Sequence, residues 1–382
     1  MKLKLIRTST VATSLAFLLK GQLAFFDQHY EVIAVSGEDE YLKTVAEREG
    51  VKTIPLEMQR SISPLKDVIS LWKLYILFKR EKPQIVHSIT PKAGLLSMIA
   101  AKLAGVPIRM HTFTGLIFPT KKGLLQQVLI VMDRLLCFCA TNVYPEGQGV
   151  KDDLKKYRIT SKSLKVIANG NVNGIDTSYF SKEQVAVKDQ GFLKKELSIT
   201  ESDFVFVYVG RLVGDKGINE LVNVFSQLPN SNSKLLLVGP FESDLDPLQA
   251  ETVQEIEKNQ NIISVGFQSD VRLYFAISDC LVFPSYREGF PNVVLQAGAM
   301  GLPSIVTDIS GSNEIIVEGQ NGIVIPVKNT NALQRVMLKM INEEVFYIEL
   351  QKNTREMIVS RYEQKVVWEA ILDEYIKLEK SV

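Results

Sequence analysis

The chain has 382 residues, of which 46% are hydrophobic and 23% charged, and its formal net charge is +1. This ordinary globular composition excludes a disordered chain, a collagen-like fibre and a coiled coil as the main body, and the length predicts two domains that need no disulfide or structural metal. Residues 1–180 carry a net charge of +10 and the remainder −9, so we expect only the first half to be drawn to anionic surfaces.

The N-terminal residues imitate a signal peptide, because basic residues precede an apolar stretch, but that stretch stops at Lys20 and no cleavage site follows. We interpret the segment as the opening of a βαβ unit instead. No uninterrupted apolar run of membrane-spanning length occurs elsewhere in the sequence. The predicted elements are a strand at Leu3–Arg7, a polar turn at Thr8–Thr10, a helix reaching about Asp27 and a strand at Val32–Val35.

Short apolar runs then alternate with longer amphipathic segments, which predicts parallel sheets with crossover helices in two successive copies. The fold class is therefore α/β, with two Rossmann-like, doubly wound domains. We place the first domain at residues 1–180, the second at 181–360, and a final helix at 361–382 that is expected to cross back to the first domain. The remaining predicted strands are Gln84–His87, Arg109–Thr112, Asn142–Tyr144, Leu164–Ile167, Phe204–Val209, Lys234–Val238, Ile262–Val265, Cys280–Phe283, Ser304–Thr307 and Gly322–Pro326.

Two such domains are expected to face each other across a cleft at the carboxyl ends of their strands, where ligands of doubly wound sheets bind. No GxGxxG follows a strand and no GxxxxGK[ST] is present, which disfavours a nicotinamide, flavin or P-loop nucleotide site. The three histidines are scattered, which disfavours zinc. The three cysteines lie in apolar runs, which favours buried free thiols in a reducing compartment.

The first candidate ligand site is the segment 209–217, Val-Gly-Arg-Leu-Val-Gly-Asp-Lys-Gly, which joins a strand to a helix beginning near Ile218. Its glycines allow the backbone to approach a ligand closely. Arg211 and Lys216 bring two cations to the strand end, beside a helix N-terminus. Together these features suit a diphosphate, whereas a solvated loop with a capping glycine is the alternative.

The second candidate is the segment 283–297, in which a strand ends at Phe283 and a helix begins near Asn292. Glu288 lies in the loop and Gln296 lies one turn into the helix, so the two side chains can address different parts of one elongated ligand. Backbone amides of the loop can point into the same space. The alternative is a strand-to-helix loop in which Glu288 only caps the helix.

The second segment, with Gly-Arg-Leu and Lys-Gly upstream, resembles the retaining nucleotide-sugar glycosyltransferases of family 4, which have the two-domain GT-B fold. The resemblance is strong over about residues 200–330. In the first half, His87–Gly94 and Pro107–Leu116 resemble enzymes that build bacterial capsule, O-antigen or similar surface glycans on a lipid diphosphate.

This resemblance implies roles for the residues that match the family pattern. Arg211 and Lys216 match the pair that binds the donor diphosphate. Glu288 matches the first Glu of the E-x7-E signature, which holds the hydroxyls of the donor sugar. Gln296 stands where the family has its second Glu, on the ribose, so the charge is absent there although an amide can still accept and donate hydrogen bonds.

Further residues enter the site through the same resemblance. His111 corresponds to a histidine close to the donor sugar, while Ser9 and Thr10 replace the family's Gly-rich first loop and are expected to contact phosphate. The expected catalytic residues are Glu288, Lys216, Arg211 and His111. The expected donor site also includes Gly210, Gly217, Gly289, Phe290 and Asn292.

Two helices are candidates for contact with a membrane. Ser63–Lys82 is basic and amphipathic, which suits an anionic leaflet, although a crossover helix packed on its sheet has the same pattern. Leu124–Cys139, preceded by two lysines, is the second. With the positively charged first half, these helices favour a cytoplasmic enzyme held peripherally on the inner face of the membrane. The residues expected to contact the membrane or acceptor are Lys73, Lys79, Arg80, Lys121 and Lys122.

The resemblance implies transfer of a sugar from a nucleotide-diphosphate donor, with UDP expected, to a hydroxyl of a lipid-diphosphate-linked saccharide, with retention of anomeric configuration. Because Arg211 and Lys216 would neutralise the departing diphosphate, we expect no metal and no other cofactor. We also expect no nucleic acid partner. Asp244-Leu245-Asp246 resembles the metal motif of the other major glycosyltransferase fold and is interpreted as structural. The alternatives are a sugar-nucleotide epimerase of the same fold and a catalytically silent donor-binding subunit, which Gln296 alone supports.

Overall fold

Apolar strands form two parallel sheets in the computed structural model, which describes residues 2–59, 63–229, 232–242 and 246–382. Contacts divide the chain into a first unit, Met1–Gly174 with Gln364–Val382, and a second unit, Ile175–Glu363. Within the described residues each sheet has six strands, and helices flank both sheets. The α/β class and the two doubly wound sheets predicted from the sequence are thereby confirmed.

The first sheet has the strand order β3-β2-β1-β4-β5-β6, with every pair parallel. Its central strands are buried on both faces, as parallel strands between helices must be. The order reverses between β1 and β4, so the carboxyl ends of these two strands flank the crevice where such sheets bind ligands. The strands are β1 Lys4–Val11, β2 Glu31–Gly37, β3 Lys52–Pro55, β4 Ile85–Ser88, β5 Ile108–Phe113 and β6 Asn142–Pro145.

The second sheet repeats the same topology, with the order β12-β11-β10-β7-β8-β9 and all pairs parallel. Its order reverses between β7 and β10, and the two segments singled out in the sequence follow these two strands directly. The strands are β7 Phe204–Val209, β8 Ser233–Val238, β9 Ile262–Gly266, β10 Cys280–Phe283, β11 Ser304–Thr307 and β12 Gly322–Ile325.

Helices connect the strands as crossovers and cover both sheets. Those of the first unit are α1 Ala12–Leu18, α2 Gln22–Asp27, α3 Glu40–Glu49, α4 Pro64–Glu81, α5 Pro91–Ala104, α6 Gly123–Cys139, α7 Gln148–Lys156 and the C-terminal α16 Gln364–Glu379. Those of the second unit are α8 Val187–Glu196, α9 Ile218–Ser226, α10 Ala250–Lys258, α11 Arg272–Ala276, α12 Asn292–Ala299, α13 Ser312–Ile315, α14 Thr330–Asn342 and α15 Glu344–Tyr362.

The first unit differs from the prediction in four details. The turn expected at Thr8–Thr10 is absent because β1 continues to Val11. The helix expected to reach Asp27 is instead two helices, α1 and α2, and the break between them contains Gly21, which has a φ of +80°. The strand expected at Leu164–Ile167 is an irregular segment, which Lys165 ties to Glu374 of α16 by a 2.6 Å ion pair. The edge strand β3 was not predicted.

The helix α16 packs into the core of the first unit through a buried polar cluster. Arg7 of β1 is fully buried and donates from Nη1 to the Tyr375 hydroxyl at 2.7 Å, and that hydroxyl lies 2.6 Å from His87 Nδ1. Burial, together with the nearby guanidinium, lowers the pKa of His87 well below its usual value, so the imidazole is neutral. The C-terminal helix is therefore an integral part of the first unit.

The three cysteines are buried and free, as predicted, and burial raises the pKa of the Cys137 thiol to about 12. Such a thiol is a weak nucleophile at neutral pH because its thiolate fraction is very small. Of the helices within the described ranges, none combines the length and apolar character needed to cross a membrane.

Replacing Glu81 by glutamine is expected to destabilise the first unit more at pH 7 than at pH 2. The carboxylate, at the end of α4, lies 2.9 Å from Lys4 Nζ of β1 and 3.1 Å from Lys52 Nζ of β3. The hydrogen bond from Lys4 is the largest cause that lowers the pKa of Glu81 to about 2. A lowered pKa stabilises the fold above the unfolded-state value near 4.5, and this contribution is lost as the pH falls towards 2.

Urea unfolding of wild type and Glu81→Gln between pH 2 and pH 7 checks this expectation. The matched control is Glu47→Gln, since Glu47 forms an exposed pair with Lys43 on α3 and should change little. A stability difference that does not shrink as the pH falls would contradict the assignment.

Candidate active site

The segment after β7 is shaped by two glycines. Gly217 has a φ of +73°, and a β-carbon there would collide with the Pro284 carbonyl oxygen. Gly210 has a φ of +151°, and a β-carbon would lie 2.7 Å from the Tyr208 hydroxyl, which donates to the Arg211 carbonyl at 3.0 Å. Glycine at position 217 therefore lets the backbone pass close to the loop after β10, and glycine at position 210 leaves room for the Tyr208 hydroxyl.

Backbone hydrogen bonds tie the loops after β7, β8 and β10 together at one edge of the second sheet. The Tyr286 amide donates to the Asp215 carbonyl at 2.9 Å, and the Leu212 amide donates to the Pro240 carbonyl at 2.9 Å. The Asp215 amide donates to Asp246 Oδ2 at 2.5 Å. Because β10, β7 and β8 are neighbours in the sheet, both segments predicted from the sequence belong to one site.

Lys216 and Glu288 meet at the centre of this edge. Their Nζ and Oε1 atoms are 2.5 Å apart, and their side chains are only 14% and 18% exposed. The buried Ser285 hydroxyl also donates to Glu288 Oε1 at 2.9 Å. One oxygen of the carboxylate thus accepts from the Lys216 cation and from Ser285, which fixes its direction, and among the described residues its second oxygen has no hydrogen-bond partner.

Arg211 extends the positive charge of the site towards solvent. Its side chain is 50% exposed and forms an ion pair with Glu242, which follows β8. The hydrogen bond to Glu242 raises the pKa of the Arg211 guanidinium. Arg287 pairs in turn with Asp215 at 3.3 Å. The cations Arg211 and Lys216 and the carboxylate of Glu288 therefore lie on neighbouring loops, as the binding of a diphosphate and a sugar hydroxyl would require.

The helix α12 supplies the rest of the predicted donor site. Gln296 is partly exposed, and its side chain makes no hydrogen bond to the residues that the structure describes. The Phe290 ring is buried against Tyr362, with 5.7 Å between ring centroids, so only the backbone of Phe290 is available to a ligand. The Gly289 carbonyl packs against Gly311. Asn292 opens the helix next to these residues.

Ser9 and Thr10, predicted to contact phosphate, are buried in β1 and use their hydroxyls internally. Ser9 donates to the Val11 carbonyl at 2.7 Å. The Thr10 hydroxyl lies 2.7 Å from that of Thr90 and accepts the Ala93 amide at 3.2 Å. These contacts fasten β1 to the start of α5, and contact of Ser9 and Thr10 with phosphate stays a prediction.

His111, predicted to lie close to the donor sugar, is instead 1% exposed between β5 and α5. Its Nδ1 lies 2.8 Å from the Ser88 hydroxyl, and its ring packs against Phe113 and above Gly94. Burial lowers the pKa of His111 to about 3. Burial therefore keeps the imidazole neutral, and contact of His111 with the donor sugar stays a prediction.

The basic residues predicted to meet a membrane are exposed on the first unit. Lys73, Lys79 and Arg80 lie on α4, and Lys121 with Lys122 precedes α6. Within the described ranges, no three His, Cys, Asp or Glu side chains cluster so as to hold a metal ion.

Sequence reasoning missed several residues that shape the site. Ser285 holds Glu288, Asp215 receives Arg287, and Glu242 pairs with Arg211. Asp246, expected to be structural, holds the amide of Asp215, whereas Asp244 and Leu245 lie outside the described residues. The sequence offers two signals for these residues: a serine two residues after the buried strand β10, and acidic residues after β8. Their partners could not be predicted because they depend on which loops are neighbours.

Comparison with known proteins identifies the family. Residues 189–357 match the family "Glycosyl transferases group 1", and residues 11–144 match "Glycosyl transferase 4-like". The chain is 32% identical to the capsular polysaccharide biosynthesis glycosyltransferase CapM of Staphylococcus aureus over 97% of this chain and 96% of that protein. The chain therefore belongs to the family 4 glycosyltransferases with the GT-B fold.

Two further relatives extend the comparison. The UDP-Gal:alpha-D-GlcNAc-diphosphoundecaprenol alpha-1,3-galactosyltransferase of Escherichia coli is 29% identical over 84% of this chain and 82% of its own length. The crystal structure of HepE from Anabaena in complex with UDP and glucose matches with a TM-score of 0.82 and 18% identity, covering 98% of this chain and all of that one. Because its identity is only 18%, the HepE match shows a shared fold and no more. The chain is thus a glycosyltransferase of the kind found in polysaccharide biosynthesis.

Proposed function

We propose that this enzyme transfers a sugar from a UDP-sugar to a hydroxyl of a lipid-diphosphate-linked saccharide, with retention of anomeric configuration, during assembly of a bacterial surface polysaccharide. The observation that carries the proposal is the Lys216–Glu288 pair beside Arg211 at the carboxyl edge of the second sheet. The donor and acceptor classes are supported by the printed name of the Escherichia coli relative.

Arg211 and Lys216 stabilise the charge that grows on the departing diphosphate. As the bond between the sugar's anomeric carbon and the diphosphate breaks, the electron pair stays on the diphosphate, while the acceptor oxygen bonds to the anomeric carbon. The acceptor's proton passes to the released diphosphate. Preorganised cations at this position act in the transition state, which is where electrostatic stabilisation accelerates a reaction most.

Glu288 orients the donor sugar. Its Oε1 accepts from Lys216 and Ser285, so its Oε2 can accept a hydrogen bond from a sugar hydroxyl. Gln296 binds the ribose through its amide, which donates as well as accepts. The cations neutralise the diphosphate, and we therefore propose that transfer does not depend on a divalent metal.

A membrane-facing surface on α4 and α6 brings the enzyme to its acceptor. The helix α5 contacts both of these helices, and both expose large apolar side chains. On α6 these residues recur every three or four positions, which places them on one side. The exposed apolar residues are Leu65, Val68, Ile69, Trp72 and Ile76 on α4, and on α6 Leu124, Val128, Val131, Leu135 and Phe138, which follow this spacing, together with Leu125.

Exposed lysines flank this apolar surface, which is the combination that binds an anionic leaflet. On α4, Lys73 and Lys79 lie next to Trp72 and Ile76. Lys102, in the last turn of α5, places its Nζ 3.5 Å from the centroid of the Phe138 ring, which is at the C-terminal end of α6. We propose that α4 and α6 rest on the membrane, with the lysines at the level of the lipid phosphates.

Reversing charge on α4 is expected to release the enzyme from anionic membranes. The double variant Lys73→Glu/Lys79→Glu should bind vesicles that contain 30 mol% phosphatidylglycerol at least about tenfold more weakly, since each basic residue contributes about 1 kcal/mol. Co-sedimentation at 0.15 M salt measures this. The matched control is Lys377→Glu/Lys380→Glu, at the end of α16 and directly after it, which changes charge equally in the same unit. Equal binding by all three proteins would contradict the proposed membrane surface.

A donor panel with and without acceptor tests the proposed reaction. UDP-, GDP- and ADP-sugars are incubated with the enzyme and an undecaprenyl-diphosphate-linked saccharide, with and without EDTA, and products are analysed by mass spectrometry and NMR. We expect release of UDP only when acceptor is present, an α-linked product from an α-linked donor, and no loss of activity in EDTA. Acceptor-independent conversion of the sugar would indicate an epimerase, and no turnover of any donor would indicate a silent subunit.

A further inference from the structure

Arg211, which is predicted to bind the donor diphosphate, is already paired with a carboxylate of the protein. Arg211 forms its ion pair with Glu242, and backbone contacts hold the two loops that carry these residues together. Leu212 pairs with Phe241 in an isolated β-bridge, and the Leu212 amide donates to the Pro240 carbonyl. This parallel bridge holds the loops after β7 and β8 together, and Arg211 and Glu242, one residue before and one residue after the bridged pair, meet diagonally across it through their long side chains.

Glu242 is held more loosely than the other carboxylate of the site. Glu288 accepts from both Lys216 and Ser285 and is 18% exposed. Glu242 is 29% exposed, and among the described residues Arg211 is the one hydrogen-bond partner of its side chain. An ion pair exposed to this degree contributes little stability, so the Glu242 carboxylate can leave Arg211 at small cost.

A diphosphate and the Glu242 carboxylate compete for the same guanidinium. If Glu242 stayed in place, the guanidinium would be neutralised and the carboxylate would repel the incoming phosphates. If it swings away, Arg211 can bind the diphosphate with two parallel hydrogen bonds. The competition also acts in reverse, because a returning carboxylate helps to displace the diphosphate after the sugar has been transferred.

We propose that Glu242 is an internal competitor for the donor's diphosphate, an anionic gate on Arg211 that binding must open and that closes as the product leaves. The gate raises the threshold for anions that carry less charge than a diphosphate, since these gain less from displacing it. This inference rests on the proposed function, and it deepens it by assigning a residue that regulates donor entry and product release.

Titration calorimetry of UDP into wild type and Glu242→Gln tests the gate. We expect the variant to bind UDP about three- to fivefold more tightly, because glutamine removes the competing charge and keeps the side chain's shape. In the Arg211→Ala background the same substitution should change affinity less than twofold. The matched control is Glu343→Gln, since Glu343 pairs with Lys339 at the surface of the same unit and should bind UDP as wild type does.

Two outcomes overturn the gate. If Glu242→Gln binds UDP as wild type does or more weakly, Glu242 does not compete and instead positions Arg211 or plays no part. If the gain persists in the Arg211→Ala background, it does not act through Arg211.

Inorganic pyrophosphate separates failure of the gate from failure of the proposed function. The gate acts on Arg211 and needs no nucleoside, so Glu242→Gln should also bind pyrophosphate more tightly than wild type. A gain with pyrophosphate but no binding of UDP, GDP or ADP would contradict the proposed donor and leave the gate supported. No binding of pyrophosphate or nucleotide by either protein would overturn both.

Discussion

Lys216→Ala is expected to lower kcat/KM for the UDP-sugar by about 10²–10³. Lys216 is 14% exposed, so its charge acts in a partly desolvated position, where electrostatic stabilisation of a departing diphosphate is strong. The substitution also leaves Glu288 without its cation, and an unpaired carboxylate would repel the diphosphate. We expect the loss in both UDP affinity and kcat, because the cation binds the diphosphate before and during the reaction.

Steady-state kinetics with a lipid-linked acceptor, together with calorimetric titration of UDP, measures these two effects. Lys339→Ala is the matched control, since Lys339 belongs to an exposed ion pair on α14 of the same unit. The control should retain wild-type activity. If Lys216→Ala keeps more than about half of the wild-type kcat/KM, the lysine does not bind the diphosphate.

Glu288→Ala is expected to lower kcat by about 10²-fold while leaving UDP affinity unchanged or increased. The carboxylate is held by Lys216 and Ser285 so that its second oxygen faces away from them, and we assign that oxygen to a hydroxyl of the donor sugar. Without it the sugar is poorly oriented for transfer. UDP has no sugar at this position, and removal of Glu288 frees Lys216 for the diphosphate.

The opposite effects on UDP binding distinguish Glu288→Ala from Lys216→Ala, although both lower turnover. The same pair of assays therefore checks both variants, with Glu343→Ala as the glutamate control. Full activity of Glu288→Ala with a matched donor and acceptor would show that the site assignment is wrong. A drop in UDP affinity equal to that of Lys216→Ala would show that Glu288 acts only by positioning the lysine.

The second sheet could be predicted closely from the sequence because its strands are short, continuous apolar runs bounded by polar loops. β7, β10 and β11 begin and end where the pattern indicates. In the first sheet the same rule fails at Thr8–Thr10, where hydroxyls enter a buried strand because Thr90 and Ser97 of the α5 region bond to them. The edge strand Lys52–Pro55 was missed because an edge strand that is partly exposed need not be an apolar run.

The candidate site could be predicted only where local pattern carries the chemistry. Arg211, Lys216 and Glu288 follow strand ends and precede helices, so the order of elements already places them at one edge of the sheet. The role of Glu242 depends on the pairing of the loops after β7 and β8, which no local pattern reveals. His111 was assigned to the donor through the family resemblance, and no local pattern revealed that α5 packs over this strand end.

The proposed function requires that the edge formed by the loops after β7, β8 and β10 bind a nucleoside diphosphate. Calorimetric titration of UDP, UMP and GDP into wild type and Arg211→Ala/Lys216→Ala tests this claim most directly. We predict that wild type binds UDP more tightly than UMP or GDP and that the double variant, while remaining folded, loses UDP binding by at least about 10²-fold. Equal UDP affinity in both proteins, or no binding of UDP by folded wild type, would contradict the proposed nucleoside diphosphate site.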